Sequence, residues 1–444
     1  MEKDNRVQEF IKNPKRALFI LAVPAIISAS VETAYNLIDM AFVGRLGASA
    51  VAALSFAFPL FFILFAIETS VAAGVQSRVA RFLGMREKTE AENSAIHGVG
   101  LSVLLALMIL PSLFFLRPLF LVLGAQGDVF NLAVNYMQII LPGALLMFPA
   151  YIIGDIFIAQ GDTKTSMIID VASLGLNAIL APFFIYYLRL GVPGSALATV
   201  CALAFSLVLG IYFLKTRSYL NLRRSSFKFS FRIIKDIFAV GVPAGFMMTM
   251  ISFYVVFINQ FMSHFGTAQV ATFGIASKLE NVAILPVYGF SSALLTLSGM
   301  FYGAGRFDLL KQIAMYGLKV TSAFTIAIGL IFFAVPAWLF RAFTPDKELI
   351  MLGVKYMRID VLTFPLMAIN MVVSRVLQGM GFGGPGFFVY LIRIFVVAVP
   401  LSYVFVYVLN FGFLAIAWAM VLSGLVAAAV GFGWLVLKLK KLNL

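Results

Sequence analysis

Stretches of about 20 apolar residues recur along the whole chain, each long enough as a helix to cross a bilayer core of about 30 Å. They fall near 17–43, 51–77, 96–123, 130–159, 165–188, 194–215, 233–262, 270–300, 313–340, 349–378, 386–409 and 413–436, separated by Gly, Pro or charge. The runs are continuous rather than alternating, which argues against a transmembrane β-barrel. Several exceed a straight crossing, so tilted or protruding helices are expected. Composition agrees: 62% of residues are hydrophobic and only 12% charged, too few charges to cover a water-facing surface. The fold class is therefore an all-α membrane protein of twelve spans.

Orientation follows from the basic residues that flank the spans. One side collects Lys3, Arg6, Lys12, Lys15 and Arg16, then Arg78, Arg81, Arg86 and Lys88, and the basic stretch from Lys215 through Arg223 and Arg224 to Lys235. The other side has chiefly Arg45, Arg117, Arg189, Arg341 and Lys347. This asymmetry predicts both termini in the cytoplasm, which requires an even number of spans. The net charge of +14 is read as this orientation signal rather than as a nucleic-acid surface. The N-terminal segment mixes charges and shows no cleavable leader; it reads as a short interfacial helix ended by Pro14. The single cysteine, Cys201, reads as a small packing residue and forms no intrachain disulfide.

The chain also repeats itself. Val23–Ala25 recurs as Val242–Ala244, a separation of 219, and the same separation links Phe42 to Phe261, Gly47 to Gly266 and Gly84 to Gly303. Gln160–Gly161 returns as Gln378–Gly379, shifted by a residue. A shared register of this kind indicates duplication. Two six-span halves that start on the same side are parallel repeats. The expected division is 1–216, a basic cytoplasmic linker over 217–232, and 233–444. Two such lobes can rock about a central cavity, the geometry of alternating access.

Ionisable groups at membrane depth are costly and are functional candidates by default. Glu32, Tyr35, Asn36 and Asp39 in the first span are spaced to share one helical face. Asp170, Ser173 and Asn177 form another stripe in the fifth span, and Thr199 in the sixth adds a hydroxyl. Asp39 with Asn177 and Thr199 can hold a sodium ion through oxygen donors, and a carboxyl at this depth can equally exchange a proton. Glu68, Lys278 and Glu280 either line a cavity or pair between helices; Asn259 and Asn370 either contact solute or join helices. Asp155, Arg375 and Arg393 read as interhelical pairs or vestibule residues; the cluster Met247, Met248 and Met250 can form an adaptable binding wall but reads first as packing and lipid-facing material.

The first span and its turn carry Pro24, Asn36, Asp39, Val43, Gly44, Leu46 and Gly47, and later come AQGDTKTSM and QGMGFGGPG. In these motifs the whole chain resembles the multidrug and toxic compound extrusion (MATE) family. The resemblance implies a V-shaped pair of six-helix lobes that exports organic, often cationic, solutes by antiport with protons or sodium. It also implies a cation-coupling site at Asp39, Asn177 and Thr199. One position departs: the family often has Asn-x-x-x-Asp-Pro in the fifth span, and here Ala181 precedes Pro182. A two-acid sodium site therefore does not carry over intact. Either Asp39 works with neutral oxygens, or Glu32 compensates, or coupling is altered. The seventh span lacks the acid that other members place there, which weakens a coupling site in the second lobe.

Two other readings compete. A lipid-linked precursor flippase needs basic groups in its central cavity, for which Lys278, Lys319 and Arg375 are the candidates. An integral-membrane enzyme needs a metal or nucleophile motif, and the only histidines, His97 and His264, form none. The expectation is thus a non-enzymatic, multi-pass transporter of the cell (cytoplasmic) membrane, monomeric, without a cofactor. Its partners are small organic solutes, protons or sodium, and membrane lipids, with no nucleic acid.

Overall fold

The computed structural model describes residues 6–222 and 227–442, apart from the side chains of Asn36 and Leu37. Lys3, Arg223 and Arg224, used above for orientation, lie outside the described residues. Within these residues the chain is helical and contains no strand. A short helix α1 (Val7–Lys12) leads into α2 (Pro14–Gly44), α3 (Ala48–Gly84), α4 (Lys88–Val122), α5 (Gly127–Ala159), α6 (Thr163–Tyr187) and α7 (Val192–Thr216). The second half runs α8 (Phe231–Ser263), α9 (Thr267–Ala283), α10 (Leu285–Gly303), α11 (Phe307–Ala334), α12 (Pro336–Arg341), α13 (Lys347–Asp360), α14 (Thr363–Gly379), α15 (Gly384–Val408) and α16 (Leu414–Lys441).

Ten of these helices are long and apolar enough to cross a membrane, and the bent pairs α9–α10 and α13–α14 raise the number to twelve. Each pair occupies one of the expected spans, 270–300 and 349–378, but is broken rather than straight. They bend by 46° and 47° at Ile284 and at Val361–Leu362. Pro286 opens α10, where its missing N–H and fixed φ favour a fresh start.

Three hydrophobic clusters explain how the halves meet. The first joins Leu18, Val75, Val79 and Ile156 of one half to Ile237, Leu294, Leu297 and Val376 of the other. It sits at the end of the bundle that carries both termini. The second draws only on α2–α7, through residues such as Val43, Phe120, Phe148 and Ala196. The third draws only on α8–α16, through Ile258, Phe273, Phe364 and Ile416. The lobes are therefore fused at the terminus-bearing end and packed each within itself at the opposite end.

Along the fused seam α3 and α8 bring backbone against backbone. A Cβ on Gly74 would overlap the Ile237 carbonyl, and one on Gly241 would overlap that of Ser70. Small residues allow such close approach, which is the main source of helix–helix attraction where the surrounding lipid is as apolar as the protein. Polar ties reinforce it: Arg78 pairs with Asp236, and Gln76 Nε2 donates to Thr296 Oγ1 over 3.1 Å.

At the edge of the fold, the N-terminal helix turns Val7 and Phe10 into the fused core. Phe10 packs on Gly161 of the first lobe in the same cluster as Met300 of the second, and Arg6 Nη1 donates to the Gly161 carbonyl over 2.9 Å. Pro14 both ends α1 and opens α2, whose first turn is capped by the Asn13 side chain. Cys201 is exposed on α7 rather than packed, since an apolar run does not say which side faces lipid. The linker is anchored by Gln160 Oε1, which accepts from Ser218 Oγ at 2.8 Å and from the Tyr219 amide at 2.9 Å.

Candidate functional site

In the first lobe, three helices deliver oxygen atoms to one point. Helix α2 presents Tyr35 and Asp39 one turn apart, α7 presents Ser195 and Thr199 one turn apart, and α6 contributes Asn177. Ser195 Oγ donates to Asp39 Oδ1 at 3.1 Å. Asn177 Nδ2 donates to Thr199 Oγ1 at 3.3 Å, and that hydroxyl donates to the Ser195 carbonyl at 3.2 Å. The remaining oxygen of Asn177 is buried without a hydrogen bond, as is the Tyr35 hydroxyl, which lies beside Asp39 and Thr199. Leaving a buried polar atom unpaired costs about 1–3 kcal/mol. Two such atoms beside one carboxylate make a place where a proton or a hard, oxygen-seeking cation is stabilised.

The geometry brings together Tyr35, Asp39, Asn177 and Thr199 from the sequence candidates. The Asn36 side chain lies outside the described residues. Two members of the group were not singled out from sequence: Ser195, and Tyr136, which lies near Asp39. The signal for Ser195 is its position one turn before Thr199; nothing local marks Tyr136. Ala181 is fully buried among apolar neighbours, so no second acid joins Asp39 from α6.

Glu32 does not join this group. Two turns from Asp39, it lies near Asp170 and Tyr151 instead, and Ser28 Oγ donates to Asp170 Oδ2 at 3.0 Å. Glu68 lies near Asp155, and both face Arg375 across the lobe boundary. Arg375 Nη1 also donates to Gln378 Oε1 at 3.2 Å.

In the second lobe a pocket of about 200 Å³ opens beside Thr69 of the first lobe. Glu280, Arg375 and Arg393 lie on its wall, and Met247, Met248, Met367, Met371 and Met420 supply much of the apolar lining. Met247 and Met248 therefore face the pocket, not lipid. Glu68, Asn259, Lys278 and Asn370, grouped with Glu280 from sequence, are not on this wall. Lys278 is two residues from Glu280, about 200° around a helix, and is exposed. Asn370 is turned about 100° from Met371 and is buried, while Asn259 is one turn beyond Val255 of the lining. Asp360 was missed although it is an acid inside a span; it is 1% exposed, with both carboxyl oxygens free of hydrogen bonds.

The MatE family model matches the chain twice, over residues 24–183 and 243–404. The multidrug export protein MepA of Staphylococcus aureus is 25% identical over 388 residues, covering 86% of this chain and 85% of its own. Among solved structures, a multidrug resistance MATE transporter in an outward-facing conformation superposes with a TM-score of 0.95 at 29% identity, covering 100% of both chains. A transporter of the same superfamily from Pyrococcus furiosus, described as having a binding pocket of reversed polarity that suggests a different function, superposes equally well, with a TM-score of 0.95 at 29% identity over 100% of both chains.

Proposed function

The chain belongs to the multidrug and toxic compound extrusion family, and from that premise we propose that it expels organic solutes by antiport with protons or sodium. The observation that carries this reading is the Asp39 group, in which one carboxylate meets the unpaired oxygens of Asn177 and Tyr35. Asp39 with neutral oxygens then does the coupling, and neither Ala181 nor Glu32 contributes a second acid. The lobes correspond to 1–216 and 233–444, joined by the basic linker 217–232.

The seam supports an alternating-access reading. Buried apolar packing joins the lobes at the terminus-bearing end and stays within each lobe at the other. With the termini in the cytoplasm of a cell-membrane protein, this is the outward-open state, in which Asp39 takes up an ion and solute leaves. Breaking the seam while the outer halves close gives the opposite state, in which the ion is released and solute enters.

The test is efflux of a fluorescent organic cation from proteoliposomes under a pH gradient or a sodium gradient imposed separately. Wild type should transport under one of them, and Asp39→Asn should fold normally yet lose gradient-driven efflux. Full activity in Asp39→Asn would overturn the assignment.

A further inference from the structure

The linker between the lobes helps to build a groove that antiport through Asp39 does not use. Side chains of α4 hold linker residues 227–230 in place through their backbone. Asn93 Nδ2 donates to the Lys228 carbonyl over 2.9 Å, and Asn93 Oδ1 accepts from the Lys228 amide at 3.1 Å. His97 Nε2 accepts from the Ser230 amide at 3.1 Å, so the ring proton sits on Nδ1, which donates to the Asn93 carbonyl over 2.8 Å. The linker and the two helices beside it enclose a groove of about 480 Å³. Ile96, Leu101 and Leu104 of α4, Phe227 and Phe229 of the linker, and Ile234 of α8 line it. His97, the one polar residue among the described lining, has both ring nitrogens occupied. Gly100 keeps the groove open, because a Cβ there would meet nothing within 4 Å.

The rim of the groove decides what fits it. The groove lies at the terminus-bearing end, since Leu101 belongs to the fused core and Leu222 and Ile234 pack on it. Phe229 and Phe231 are each 72% exposed, and Leu104, Leu107 and Met108 continue an exposed apolar surface along α4. Aromatic rings at the end of a span sit at the level of the lipid headgroups. Lys228 and Arg232 alternate with those rings, Lys235 follows, and all three are exposed. The acids of α4 and α8 do not answer them: Glu90 and Asp236 pair with Arg78, and Glu92 pairs with Lys88. Among the described residues no carboxylate pairs with Lys228, Arg232 or Lys235. An apolar groove beside unanswered positive charge is complementary to a ligand with an apolar chain and an anionic head. We propose that the groove takes one acyl chain of an anionic phospholipid whose headgroup pairs with Lys228 and Arg232. The lipid then touches α4 of the first lobe and α8 of the second. The site is separate from the Asp39 group and does not rest on the export reading.

Native mass spectrometry of the full-length protein in detergent tests this, with phosphatidylglycerol and phosphatidylcholine of identical chains supplied in equal amounts. Wild type should retain phosphatidylglycerol in preference. Lys228→Gln combined with Arg232→Gln should reduce that preference on the order of tenfold. Gly100→Leu should block the chain and lose the retained lipid. Leucine is a better helix former than glycine and its Cβ meets open space, so this variant should melt no lower than wild type. Equal retention of the two lipids by wild type would overturn the proposal, as would unchanged phosphatidylglycerol retention in Gly100→Leu. Displacement of the lipid by inorganic phosphate would also overturn it, because the chain would then contribute nothing. A wild-type dimer that Gly100→Leu abolishes would identify a second copy of this chain as the occupant and overturn the lipid assignment. Gradient-driven efflux is read separately, so its loss or retention leaves each of these outcomes intact.

Discussion

Ser195 Oγ donates to Asp39 Oδ1 over 3.1 Å, tying the start of α7 to the C-terminal half of α2. Hydrogen bonds to a charged group contribute about 1.5–3 kcal/mol. This bond fixes the orientation of the Asp39 carboxyl group. Ser195→Ala should therefore shift the ion dependence of efflux, on the order of tenfold, with a maximal rate close to wild type. Titrating efflux against proton or sodium concentration checks this. An unchanged dependence would mean that Ser195 does not position Asp39.

The seam between the lobes makes a different prediction. A branched side chain at Gly241 meets the Ser70 carbonyl, and overpacking of this kind costs about 1–3 kcal/mol. The cost falls on the sealed arrangement, so Gly241→Val should shift the equilibrium toward opening at the terminus-bearing end. In a Cys201→Ser background, a Thr296→Cys reporter beside Gln76 should then react on the order of tenfold faster with a soluble thiol reagent. Equal rates in the two backbones would remove the seam as a gate.

The span pattern was legible because hydropathy depends on composition alone. The bends at Ile284 and Val361–Leu362 were not, since an apolar run continues through both and only packing against neighbours decides where it breaks. For the Asp39 group, helical spacing was enough to relate Tyr35 to Asp39 and would have related Ser195 to Thr199. It could not bring Tyr136 from α5 to the same point, nor separate Glu32 from Asp39, because spacing fixes an angle about one helix and not what stands opposite. Lys278 and Glu280 show the same limit: close in sequence, they point to opposite sides. Arg393 reaches the Tyr254 ring from a π-helical turn, whose register no 3.6-residue period predicts.

Phe10 offers a third test. It is 1% exposed and packs against both lobes at the fused end, so its contacts exist fully only while the lobes are together. Phe→Ala in a filled site costs about 3–5 kcal/mol. Phe10→Ala should lower the thermal midpoint and raise hydrogen exchange in the first turns of α2. If neither changes, α1 does not tether the lobes.

The last prediction concerns Ala181, one turn beyond Asn177 on the same face of α6 and fully buried. Ala181→Asp adds the second carboxyl of the family pattern to a group that has one. Without a partner, a buried charge is destabilising by several kcal/mol, so the variant should melt below wild type in sodium-free buffer. A sodium ion would neutralise it and use the free oxygens of Asn177 and Tyr35 as ligands. Because a ligand that binds only the folded state stabilises by RT ln(1 + [L]/Kd), sodium should raise the melting temperature of Ala181→Asp more than that of wild type. Potassium, too large for a closely fitted site, should do so less. An equal sodium response in both proteins would mean that Ala181 does not face the Asp39 oxygens, and that the second acid's place lies elsewhere.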